Sequence, residues 1–97
     1  MGIIDKLNKD FESRVRLGIM SVLMVNEWID FTEMKSLLDI TDGNLASHSS
    51  ALEKAGYIQV KKEFVGKKPK TSYSVTDAGR AAFVSHLNSL EKLIKSK

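Results

Sequence analysis

The sequence predicts a mainly α fold that carries one small β-hairpin. Four segments repeat apolar residues at helical spacing. A fifth, Tyr57–Val75, is instead rich in Tyr, Ile, Val and Thr around a glycine and the only proline. The length, 97 residues, allows one hydrophobic core and not two, so residues 1–97 are expected to form a single domain. Hydrophobic residues make up 42% and charged residues 28%, the balance of a globular chain. Only 7% are aromatic, so aliphatic side chains must supply most of the core.

Leu17, Ile19, Met20, Val22, Leu23 and Val25 form a dense block that is apolar on most sides. It predicts a central buried helix over about Asp10–Glu27, with Gly18 permitting close approach of a second helix. Thr32 is placed to cap the next helix and Glu33 to favour its positive end. Met34, Leu37 and Leu38 then give i, i+3, i+4 spacing, so this helix spans Glu33–Leu38. Asp39 and Ile40 make a turn, with Ile40 directed back to the core. Thr41 caps a further helix whose inner face is Leu45, Leu52 and Ala55 and whose stop is Gly56. Two short helices joined by about three residues form a helix-turn-helix pattern. A strand follows from Tyr57 to Val65, then a hairpin tip from Gly66 to Lys70, then a return strand Thr71–Val75. Thr76 caps the last helix, which runs to residue 95 with Ala78, Ala82, Phe83, Leu87, Leu90, Leu93 and Ile94 on its apolar face.

Charge is concentrated. Lys61, Lys62, Lys67, Lys68 and Lys70 stand against Glu63, so this ten-residue stretch carries +4 where the whole chain carries +3. Such an arrangement suits local contact with a polyanion rather than diffuse attraction to a membrane. No cysteine is present, which excludes disulfides, thiolate catalysis and thiolate metal sites and fits a cytoplasmic address. Met1–Phe11 contains Asp5, Lys6, Lys9 and Asp10, so no signal peptide is expected, and the longest uncharged apolar run, Leu17–Val25, is too short to cross a bilayer. His48 and His86 lie on different helices without clustered carboxylates, and no Gly-rich phosphate loop follows a strand. No catalytic set, metal site or cofactor is therefore expected.

A helix entering a DNA major groove reads bases with the outward residues of its first two turns. Here those are Gly43, Asn44, Ser47 and His48. Asn44 has the amide that pairs with adenine N6 and N7, Ser47 adapts to several bases, and His48 donates to guanine N7 or to phosphate. Gly43 lets the backbone approach closely. In isolation these residues are an ordinary solvated helix start; followed by a Gly stop and a lysine hairpin, they read as an interface. Lys67, Lys68 and Lys70, with Thr71 beside them, are the phosphate candidates, and Thr41 at the helix N-terminus is another. Lysines on an exposed hairpin also serve simply to protect an edge.

Phe83, Leu87, Leu90 and Ile94 repeat at spacings of four, three and four, a seam with a seven-residue period. Ile3, Ile4, Leu7 and Phe11 form a second apolar set. The expectation is a homodimer joined by residues 1–11 and 76–95, the alternative being that the seam packs on the chain's own first helix.

Arg16-Leu17-Gly18-Ile19, DFTEMKSLLDITDGNLASHSSALEKAGYI and GKKPKTSYSVTDAGR together resemble the winged helix-turn-helix transcriptional regulators, the group that includes MarR-like and ArsR-like repressors. The likeness covers about Glu12–Leu90. It implies a winged-helix fold with an extended C-terminal dimerisation helix, and a symmetric dimer on double-stranded DNA. Asn44, Ser47 and His48 are then the base contacts, and Thr41, Ser50, Lys67, Lys68, Lys70 and Thr71 the backbone contacts. The chain departs from the pattern at Ser49, where an apolar residue is usual, and at Ser50 and Ala51, where Arg or Lys is frequent. Ser49 can satisfy its hydroxyl on a helix carbonyl. Affinity is then expected to rest on the hairpin lysines. The competing expectations are a protein-interaction module on the same scaffold and nonspecific nucleic-acid binding; the sequence identifies no small-molecule effector.

Overall fold

In the computed structural model, which describes residues 2–95, two 3-10 turns (Ile3–Lys6 and Lys9–Phe11) lead into helix α1 (Arg14–Met24). Strand β1 (Ile29–Asp30), helices α2 (Phe31–Leu38) and α3 (Asp42–Lys54), strands β2 (Ile58–Val65) and β3 (Lys68–Val75) and helix α4 (Asp77–Lys95) follow. The strands form one antiparallel sheet in the order β1-β3-β2. This is the winged helix-turn-helix fold the sequence implies.

Helix α1 is shorter than the expected Asp10–Glu27. Ser13 is extended and its hydroxyl accepts from the Val15 and Arg16 amides, which fixes the start at Arg14. The end falls at Met24, where the Asn26 side chain donates to the Val22 carbonyl and Val25 stands in solvent. Ile19, Met20 and Leu23 occupy the core. Gly18 lies against α2: a Cβ there would meet the Leu38 side chain at 2.9 Å.

The cap of α2 is Asp30 rather than Thr32. The Asp30 carboxylate accepts from the Glu33 amide at 2.8 Å, so the helix begins two residues earlier than expected. The same residue closes β1, which pairs Ile29 with Tyr73 and Asp30 with Ser72. Asp39 ends α2 in the left-handed conformation (φ 51°), and Ile40 turns back against the core. Thr41 caps α3, its hydroxyl accepting from the Asn44 amide at 3.1 Å. The far end closes as a Schellman motif: Tyr57 N–H donates to Leu52 O, Gly56 N–H donates to Glu53 O, and Gly56 has φ 83°.

The hairpin is tighter than expected. Its turn is only Gly66-Lys67, with Gly66 at φ 67°, and β3 already begins at Lys68. Pro69 therefore sits inside a strand, opposite Phe64. It is tolerated because β1 pairs only with Ser72 and Tyr73, leaving the outer edge of β3 unpaired at Pro69.

Thr76 links the hairpin to α4. Its hydroxyl donates to Gly56 O and accepts from the Gly79 amide. Gly79 packs so closely on the Tyr57 carbonyl that a Cβ would overlap it. Beyond it α4 buries Phe83, His86 and Ser89.

The N-terminal segment lies on α4. Phe11 packs against the rings of Tyr57, Phe83 and His86 at centroid distances of 5.2–5.3 Å. Phe11 is 0% and Phe83 2% exposed. These two members of the expected dimer interface are thus core residues of a single chain. The fully buried side chains are otherwise aliphatic or methionine, as the scarcity of aromatics requires.

Candidate nucleic-acid interface

Helix α3 turns Leu45, Ser49 and Leu52 into the core, which leaves Gly43, Asn44, Ser47 and Ser50 on the open face. Ser49 donates to Leu45 O at 2.6 Å, so the hydroxyl is satisfied on its own helix where the sequence likeness leads one to expect an apolar residue. Tyr73 of β3 lines the same cleft as Ser49. Burial pushes the Tyr73 phenol above its ordinary pKa, the nearby Ser49 hydroxyl opposes this, and the Glu53 charge adds to it.

His48 is half-buried. Its Nδ1 accepts from Arg16 Nε at 3.0 Å, and Arg16 Nη1 donates to Asp10 O and lies 3.9 Å from the Asp10 carboxylate. With Nδ1 accepting from the guanidinium, Nε2 is the ring nitrogen left to donate. Arg16 is thus a positioning residue for His48. The sequence marks Arg16 within a family pattern but gives no sign that it orients a histidine 32 residues away.

At the start of α3, Lys35 and Asp42 form a 2.7 Å ion pair that ties α2 to α3 and offsets a carboxylate at the interface. An open groove of about 790 Å³ lies beside it, between Arg14, Lys35, Thr41, Asp42 and Asn44. The groove gives access to Thr41 and to the positive end of the helix.

The register of the hairpin sorts its lysines by face. Ile58, Val60, Lys62 and Phe64 alternate onto one side of β2, opposite Val75, Tyr73, Thr71 and Pro69. The inner members of this set belong to the core, and Val60, Lys62, Thr71 and Tyr73 line a cleft whose other wall is Ala46, Ser49, Ser50 and Glu53 of α3. Lys62 and Thr71 consequently face the same way as the recognition helix. Lys61, Lys68 and Lys70 fall on the opposite side, with Lys61 Nζ 4.5 Å above the Trp28 ring and Lys70 paired across the ladder with Glu63. Only Lys67 occupies the turn. The expected cluster of Lys67, Lys68 and Lys70 at one loop is therefore divided between the turn and the outer face. Lys62 is absent from the expected phosphate contacts, although a strict two-residue alternation from Ile58 finds it.

On the distal part of the molecule, Ile4, Leu87 and Ile94 are exposed, Leu7 and Leu90 half-buried. The side chain of Ile3 lies outside the described residues. Val84, absent from the expected set, is exposed beside Leu87.

A capped helix-turn-helix with its second helix open to solvent, flanked by a basic hairpin, defines a winged-helix DNA-binding module. The chain belongs to the winged helix DNA-binding domain family, whose model matches residues 15–94. It is similar to an uncharacterized protein of Methanocaldococcus jannaschii, 35% identical over 88 residues that span 91% of this chain and 96% of that one. Among solved structures it resembles the transcriptional regulator homologue from Pyrococcus horikoshii at 33% identity and TM-score 0.84, covering 98% of this chain and 96% of the other. The fold is also that of a MarR-family regulator from Enterococcus faecalis at 24% identity and TM-score 0.74, covering 90% and 77% of the two chains. No helix among the described residues is long and apolar enough to cross a membrane.

Proposed function

We propose that this protein binds double-stranded DNA sequence-specifically as a homodimer and acts in the cytoplasm as a transcriptional repressor rather than an enzyme. The observation that carries the reading is the shared face of α3 and the wing: Gly43, Asn44, Ser47 and Ser50 are open on the helix, and Lys62 and Thr71 look the same way from the hairpin. Asn44 and Ser47 read base edges and Gly43 permits the approach. His48, held by Arg16, donates from Nε2. Thr41, Ser50, Thr71, Lys62 and Lys67 hold phosphates beside the groove, while Lys68 and Lys70 add charge from the outer face.

The dimer reading rests on α4. Val84, Leu87 and Ile94 leave an apolar stripe at near-heptad spacing, and Ile4 lies on the N-terminal segment that packs against the same helix. Leu7 and Leu90 border it in this proposal. Repression follows from occupancy, because a dimer covering successive major grooves blocks other proteins from that stretch.

Selection of bound duplexes from a random-sequence pool at near-physiological salt tests the whole reading. The expected product is a two-fold symmetric motif with half-sites about one helical turn, ~34 Å, apart. Retention without sequence enrichment points to nonspecific packaging. No retained duplex even at low salt leaves a protein-interaction module as the reading of choice.

A further inference from the structure

The wing ends in an apolar pair that neither the core nor a solubilising edge requires. Phe64 is 74% exposed, near the free end of the ribbon. Its ladder partner is Pro69, one step from the Gly66-Lys67 turn. The register puts both on the same face as Lys62 and Thr71, the face turned toward the recognition helix. Pro69 has no N–H to donate, so it meets Phe64 as a non-hydrogen-bonded pair, the arrangement in which cross-strand side chains come closest. The register thus sets an exposed ring opposite a rigid pyrrolidine, on a narrow ribbon between lysines.

We infer that Phe64, backed by Pro69, is a wedge that enters the DNA minor groove beside the recognition site and partly unstacks a base-pair step. This deepens, and rests on, the DNA-binding reading above. Lys62 on the same face and Lys67 at the turn make the surroundings basic, which favours a polyanion over an apolar protein surface. A ring entering the minor groove gains most where it slips between base pairs, as apolar wedges do. Side chains of this kind kink a duplex toward the major groove, and pyrimidine–purine steps yield most readily. Selectivity would then come partly from DNA deformability at positions α3 never touches, which suits a recognition helix whose Ser50 and Ala51 are uncharged.

The test uses the full chain and two duplexes of ~40 base pairs with equal composition, one carrying TA steps at each helical turn and one built of stiff A-tracts. Donor and acceptor dyes at the two ends read the bend, and titration at several salt concentrations reads affinity and salt slope. The wild type is expected to bend the TA duplex by roughly 20–90° and to favour it over the A-tract duplex about tenfold. Phe64→Ala should abolish the bend and the preference while leaving the salt slope unchanged, because no lysine is lost. Phe64→Leu should restore most of both. If Phe64→Ala bends and discriminates as the wild type does, the wedge is wrong while the DNA-binding reading stands. The wedge is equally excluded if the variant weakens both duplexes alike with no change in bend, or if its only defect is in sedimentation with anionic lipid vesicles. Failure of the wild type to bind either duplex at low salt removes the DNA-binding reading and the wedge with it.

Discussion

At the scale of single residues, Ser49 shows how a hydroxyl is accommodated on the inner face of α3. It is buried, and it donates to the Leu45 and Ala46 carbonyls of its own helix. Those carbonyls belong to the helical backbone, so removing the hydroxyl strands no buried polar group. Ser49→Ala should therefore change stability by less than about 1 kcal/mol. Denaturant unfolding of the two proteins checks this, and a loss of several kcal/mol would mean that the hydroxyl has a further partner. Asn44 differs in kind, since it is exposed and its backbone amide, not its side chain, supports the cap. Asn44→Ala should leave stability almost unchanged and lower discrimination at one base position by about 1–3 kcal/mol, read by competition between duplexes that differ at that position. A loss that is uniform over all sequences would place Asn44 on the backbone instead. Sequence alone reaches Gly43, Asn44 and Ser47, because a helix with two leucines fixed inward has few residues left to present, but it also counts as outward His48, which is half-buried. It does not reach the Arg16–His48 bond, which exists only once distant elements have packed.

Between elements, the same distinction separates what is local from what is tertiary. The Thr41 cap, the Gly56 stop and the Thr76 cap are legible because each depends on hydrogen bonds within a few residues. Strand β1 is not, since two residues become a strand only by pairing with β3. The hairpin is legible in kind but not in detail: proline suggests a loop, and only the unpaired outer edge of β3 lets Pro69 remain in a strand. That detail decides which lysines share the face turned toward α3. Lys62→Ala should flatten the salt dependence of binding by about one unit of slope, and Lys68→Ala by less, because Lys68 lies on the outer face. Equal effects would mean that the wing is flanked by phosphates on both sides. The attachment of the N-terminal segment to α4 yields a pH dependence. His86 is buried against Phe11 and Phe83, and its Nδ1 accepts from the Asn8 amide at 3.0 Å. Burial lowers its pKa, with the Glu12 charge opposing the shift. The unfolded ring protonates near its ordinary value of about 6.5, while the folded ring stays neutral to lower pH. Its contribution is thus fully present above about pH 6.5 and declines as pH falls from there to the folded pKa. His86→Gln, which keeps an acceptor and cannot titrate, should show a smaller loss of Tm between roughly pH 7.5 and pH 5 than the wild type. Parallel losses in the two proteins would assign the acid sensitivity to the carboxylates.

For the molecule as a whole, shape and apolar surface point the same way. The principal extents are 56 × 25 × 21 Å and the radius of gyration is 14.6 Å, larger than the ~13 Å of a compact chain of about 100 residues. Helix α4 supplies part of the length: its 19 residues extend about 28 Å. Along it Leu87 is 43% and Ile94 82% exposed. The seven-residue repeat is visible in the sequence, but which residues it leaves free is not, because Phe83 goes to the core and Val84 to the surface only after the N-terminal segment has docked. A second copy of α4 packed on this stripe would bury apolar area in both chains, and the two-fold axis would relate two α3 helices to the two halves of a symmetric site. Leu87→Glu combined with Ile94→Glu places like charges on that seam without touching the core. The double variant should fold with a nearly unchanged Tm and sediment as a monomer at concentrations where the wild type is a dimer. Its affinity for a two-half-site duplex should drop by about 10²–10⁴, because the second half-site contact is no longer intramolecular. The salt slope should fall to roughly half, since one wing rather than two then displaces counterions. A variant that stays dimeric would move the interface off this stripe. A wild type that is monomeric in solution and on DNA would leave each α3 to read its half-site alone, and the selected motif would then lose its two-fold symmetry.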